Sequence, residues 1–238
     1  MNILDAIIII GAVCGIIGGL KKGIIKSSVA LAGTIVVIVI AFYLKNPVAK
    51  LFYTYLPFFS FKGPFSGVSV INILLYELIA FLLVASILSI LVRILVKMSG
   101  ILEKALDITI VLGFVSKVLG AVFGFLEAYL IMFIILFFLS QPLFGIKGIK
   151  NSKISEFMLT KTPGLNVLVE KTKKAMDEIT ILKDKYNVMG NNNEFNYETL
   201  DTLMKYEVIT VDSVKVLKDK NKIKINGIDT LIEKYGGK

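Results

Sequence analysis

Residues 3–20 read ILDAIIIIGAVCGIIGGL, and residues 118–139 read VLGAVFGFLEAYLIMFIILFFL. The first run holds one charged residue, Asp5, and the second holds one, Glu127. A helix needs about 20 apolar residues to cross the roughly 30 Å of hydrocarbon in a bilayer. Backbone N–H and C=O groups find no water at that depth, so each must be paired within its own segment. Runs this long, without the alternation of a barrel strand, predict helices dissolved in lipid. Two more runs meet the same criterion: residues 27–44 carry no charge, and residues 72–92 carry only Glu77. The expected fold is all-α, a polytopic integral membrane protein with four transmembrane helices and a C-terminal helical extramembrane tail.

Working outward, the 238 residues are 55% hydrophobic and 19% charged, with a mean hydropathy of +0.78. Charge is uneven: residues 1–139 hold 15 charged side chains and residues 140–238 hold 30. The expected organisation is a four-helix membrane domain over 1–140, a juxtamembrane segment with an amphipathic helix over 141–190, and a small helical tail over 191–238. The first apolar run ends in Gly19-Leu20-Lys21-Lys22-Gly23 rather than a small-residue cleavage site, so it is expected as a retained helix and not a signal peptide. There is no His and one cysteine, Cys14. That composition excludes a Ser-His-Asp or Cys-His centre, a His-based metal site and an intrachain disulfide. With no P-loop, dinucleotide fingerprint or zinc-protease motif either, no catalytic, cofactor-binding or metal-ligating residue is singled out, and no enzyme is expected. A single Arg, without interleaved aromatic and basic residues, argues against a nucleic-acid partner.

The connections carry the orientation. Lys21, Lys22 and Lys26 make a basic turn after the first span, and Arg93, Lys97, Lys104 and Lys117 flank the connection after the third. Residues 45–71 hold three lysines amid Phe52, Tyr53, Tyr55, Phe58, Phe59, Phe61 and Phe65, and they read either as a short interfacial helix started by Asn46-Pro47 or as a plain extracytoplasmic loop. The 7-to-3 bias of basic residues puts the first and third connections in the cytoplasm and both termini outside. Asp5, Lys21, Lys22 and Lys117 are then interfacial. In the tail, Thr162-Pro163 is predicted to open an amphipathic helix running to Gly190, followed by helices at about 197–206, 211–219 and 228–235.

Two features of the spans stand out. Gly11, Gly15, Gly19 and Gly23 recur every fourth residue, and Gly120 and Gly124 with Ala128 repeat the device. Four residues are about 1.1 turns, so each set lines one stripe, and bare stripes let helices meet backbone to backbone. The stripes are expected to meet each other or a second copy of the chain. Glu127 lies about 14 Å past Val118, near mid-bilayer, where a charge costs roughly 2.5–3.5 kcal/mol. It is expected to be protonated and hydrogen-bonded across the seam, or open to a polar cavity. Glu77, the second intramembrane carboxylate, is expected to share a role as a polar staple. The alternative is that Glu77 and Glu127 serve a small proton- or ion-coupled transporter or channel component. Cys14 is read as a small buried apolar residue.

Leu4-Asp5, the glycine-spaced first helix and Gly19-Leu20-Lys21-Lys22-Gly23 resemble the start of the colicin V production (CvpA) family. The segment from Lys117 to Glu127, KVLGAVFGFLE, resembles its last membrane helix in the form found in Gram-positive members, and TKTPGL at 160–165 resembles the family's segment just after that helix. The resemblance covers about residues 1–170. It implies a four-span protein of the bacterial cytoplasmic membrane, linked to toxin (bacteriocin) biosynthesis or export and to cell-envelope homeostasis. The expected role is a non-enzymatic scaffold or accessory factor. Its partners would be the lipid bilayer, further copies of itself, or other membrane and secretion proteins.

Overall fold

The computed structural model describes residues 2–59, 71–105, 110–140, 149, 151–163, 165–186 and 193–237. Of the sequence features named above, Phe61, Lys62, Phe65, Gly164 and Gly190 lie outside the described residues. Among those described there is no strand. Three long helices come first: α1 (Ile3–Tyr55), α2 (Ile71–Ala105) and α3 (Ile110–Leu139). Five shorter ones follow: α4 (Lys153–Lys161), α5 (Asn166–Tyr186), α6 (Asn193–Lys205), α7 (Val211–Asp219) and α8 (Ile228–Gly236). All three long helices are long and apolar enough to cross a membrane.

The 53 residues of α1 would run about 80 Å if straight, far more than one crossing. The helix breaks at Gly23, whose φ of 74° and ψ of 178° only glycine adopts readily. Restarting a helix leaves orphan N–H groups, and the Ser116 hydroxyl of α3 accepts one of them from Ile24 at 3.1 Å. The Ser27 hydroxyl reaches back to the Gly19 carbonyl at 3.4 Å, so the second limb folds against the first.

Several expected boundaries are corrected. No helix starts at Asn46-Pro47, because α1 runs through Pro47 to Tyr55. Proline forfeits one ladder hydrogen bond there, and burial of Ala49 and Tyr53 beyond it offsets the loss. The helix expected to stop at 92 continues as α2 past Arg93 and Lys97 to Ala105, since long basic side chains stretch away from an apolar stem. Thr162 ends a helix instead of starting one: it is the C-cap of α4. That helix has its own N-cap, Ser152, whose hydroxyl accepts from Ser155 N–H at 3.0 Å.

The chain forms two compact units that interleave along the sequence, Met1–Tyr43 with Leu82–Pro163, and Leu44–Phe81 with Gly164–Lys238. In the first, the limbs of α1 pack on α2 and α3, and α4 lies along α3. In the second, α5 packs on α6, and α8 on both α6 and α7, around Phe195, Leu200, Leu203, Val214, Leu217 and Leu231. The last three helices stand within a few residues of where the apolar periodicity put them. The left-handed Gly227 (φ 80°) opens α8, where a Cβ would press on the Tyr197 ring at 3.1 Å.

Candidate functional site

Within the first unit, the glycines of α1 and α3 touch through their backbones. A Cβ added to Gly19 would stand 2.0 Å from the Gly120 carbonyl oxygen, and one on Gly120 2.5 Å from that of Gly19. One turn on, a Cβ at Gly15 would meet Ala128 Cβ at 2.4 Å, and one at Gly124 would meet the Gly15 carbonyl oxygen at 2.4 Å. At Gly11 the obstacle is softer, the Met132 sulfur at 2.7 Å, and Gly23 packs against Gly120. Gly18 lies off the stripe, and a Cβ there would meet nothing. Cys14 is exposed, a correction to its expected burial: it sits about 100° around the helix from Gly15 and faces away from the seam. Gly33, which the spacing argument missed, does the same service for the second limb of α1, where a Cβ would hit Val92 of α2 at 2.4 Å.

Each of the two intramembrane carboxylates stands beside a lysine. Glu127 is hydrogen-bonded across the seam, by Lys22 of α1: its Nζ, from the basic turn beside Gly23, lies 3.3 Å from Glu127 Oε2. A flexible four-carbon stem carries the ammonium inward from the helix break. Glu77, in the second unit, takes Lys45 at 2.5 Å, with side chains only 5% and 15% exposed. An opposite charge this close lowers the cost of burying a carboxylate. Around this pair lies an aromatic knot. Tyr53 is fully buried and donates to the Ile73 carbonyl at 3.4 Å, Tyr76 donates to the Pro57 carbonyl, and Asn72 bonds the Phe59 backbone in both directions. Phe52, Phe58 and Phe59 ring Tyr76 at 6.0–6.2 Å. Nothing in the local sequence pairs Lys45 with Glu77, because the two are 32 residues apart on different helices.

Asp5 does more than mark a helix start. It accepts from Asn2 N–H at 2.9 Å in its own first turn, and also from the Ser152 hydroxyl and, at 3.4 Å, the Ile154 N–H at the head of α4. The other end of α4 is held where the Tyr129 hydroxyl meets Thr162 at 2.7 Å. Lys21 and Lys117 stand next to seam positions, one beside Lys22 and the other three residues before Gly120. Outside the long helices, Lys234 has its pKa raised by the Asp201 carboxylate, and the Tyr235 hydroxyl is raised by burial and then by Asp201. Among the described residues no group of His, Cys, Asp and Glu could hold a metal ion.

The arrangement is one of close helix packing, with Glu77 and Glu127 ion-paired and Asp5 capping. A family model described as Colicin V production protein matches residues 4–163, two thirds of the chain. No curated protein and no solved structure is detectably similar to it.

Proposed function

Because the chain belongs to the colicin V production protein family, we propose that it is a non-enzymatic scaffold or accessory factor in bacteriocin biosynthesis or export, or in cell-envelope homeostasis. It acts from the bacterial cytoplasmic membrane. In this reading four spans cross: the two limbs of α1, α2 and α3. The basic connections face the cytoplasm and both termini face outward, supported by the lysine bias. Its partners are the bilayer, further copies of itself, or other membrane and secretion proteins.

One observation carries the scaffold reading: Glu77 and Glu127 each stand beside a lysine, at 2.5 and 3.3 Å. A carboxylate held by a fixed counter-charge works as a staple, whereas a carrier needs it free to load and release. The rival reading, a proton- or ion-coupled transporter component, draws on Glu77 Oε1, which is buried without a hydrogen-bond partner. Purified protein in liposomes separates the two. The scaffold reading expects no proton or ion flux at any pH, and flux that vanishes in Glu127→Gln or Glu77→Gln would replace it with the transporter.

A further inference from the structure

We propose that the end of α1 and the link between α7 and α8 form a docking surface for anionic phospholipid headgroups. The charge-free run over residues 27–44 is about as long as one crossing of the hydrocarbon, so the chain leaves it at the headgroup level. The last turn of α1 follows that run in the sequence. That turn is amphipathic in the required sense. Ala49 and Tyr53 are buried on one side, while Leu51 and Tyr55 are exposed on the other, Tyr55 by 79%, and Leu56 and Phe59 just beyond the helix are exposed as well. Exposed tyrosine beside aliphatic residues is the signature of the membrane–water interface.

The same unit brings lysines to this place. Lys222 donates from Nζ to the Leu56 carbonyl at 3.1 Å, and Lys50 pairs with Asp212 at 3.2 Å, so α7 and the stretch of chain after it lie along the end of α1. Residues 222–225 lie outside the helices, with Ile223 and Ile225 buried. Lys220 and Lys224 are exposed and Lys222 is half-buried. Residues 215–224 hold five lysines and one acid, Asp219. The neighbouring Asp229 is already taken by Lys218. An aromatic edge at headgroup depth, bordered by Lys220, Lys222 and Lys224, which have no acid partner among the described residues, complements phosphate-bearing anionic lipid.

This inference rests on the membrane reading above, and its test separates the two. The chain contains no Trp, so Tyr55→Trp creates a lone reporter. The full-length variant is placed in nanodiscs containing, at equal mole fraction, either brominated phosphatidylglycerol or brominated phosphatidylcholine. Quenching by the anionic lipid is expected to be greater by roughly twofold, and the excess to disappear at high salt. It should also disappear in K220Q/K222Q/K224Q, with quenching by brominated phosphatidylcholine unchanged. Should that variant fail to fold, the salt series on the parent lysines carries the test. Equal quenching by both lipids at low salt overturns the lysine surface and leaves the membrane reading standing. No quenching by either, with full access to aqueous acrylamide, overturns the membrane placement of α1 as well.

Discussion

The α1–α3 seam and the α5–α8 bundle solve the same problem, holding helices together, with opposite materials. The seam has almost no side chains: Gly15, Gly19, Gly120 and Gly124 bring two backbones into contact. The bundle is all side chain, with Phe195, Leu200, Leu203, Val214, Leu217 and Leu231 buried together. Its exterior carries ion pairs such as Lys205–Glu178 and Lys234–Asp201. Apolar side chains gain by leaving water but gain nothing by leaving lipid tails, so helices in lipid associate through close van der Waals fit. The exposed surfaces invert accordingly. Ile7, Ile10, Phe114 and Val122 lie open on the long helices, whereas lysines and glutamates cover the bundle.

The sharpest way to break this contrast is to put a side chain into the seam. Gly19→Leu, which would drive atoms through the Gly120 carbonyl, is expected to abolish recovery of monodisperse protein by size exclusion in detergent. Gly18→Leu, where a Cβ meets nothing, should leave the profile unchanged. Equal behaviour of the two would remove the seam from the account.

Next in size is the buried pair. Lys45→Met strands the Glu77 carboxylate and should cost roughly 3–5 kcal/mol. Adding Glu77→Gln should return much of that loss, measured as thermal stability in the same detergent. A double variant no better than Lys45→Met alone would mean the pair is not coupled. In the bundle, Leu217→Ala removes a fully buried side chain and should cost about 2–5 kcal/mol. That loss should be read as faster amide exchange across residues 193–237, with the seam unaffected. The smallest change is Lys171→Gln, which removes an exposed ion pair to Glu207. Its thermal midpoint should move by less than about 2 °C.

How legible these parts are in the sequence follows the same division. Apolar periodicity is local information, so α7 at 211–219 and α8 at 228–236 stand almost where the pattern put them. Spacing by four is local too, and it lays the glycines of one helix on one stripe. The surface that a stripe faces is tertiary, and Gly33 against Val92 left no repeat to find. The carboxylate partners were illegible for that reason, since Lys22 and Glu127 lie 105 residues apart. The misplaced helix start at Thr162 has a different origin. Thr-Pro is a fair opening signal, but Ser152 had already capped a helix that Thr162 closes, and Asp5, far away in sequence, reinforces that cap.

The central claim is that α1 and α3 meet along the glycine stripe inside the membrane. Cys14 is the lone cysteine, so a Cys14→Ser background permits a two-cysteine test in native membranes. Gly11→Cys with Met132→Cys places the new thiols where a Gly11 Cβ comes 3.6 Å from the Met132 Cγ. Oxidation should join this pair rapidly, and should not join Gly18→Cys with Met132→Cys. No faster joining in the first pair than in the second would contradict the seam.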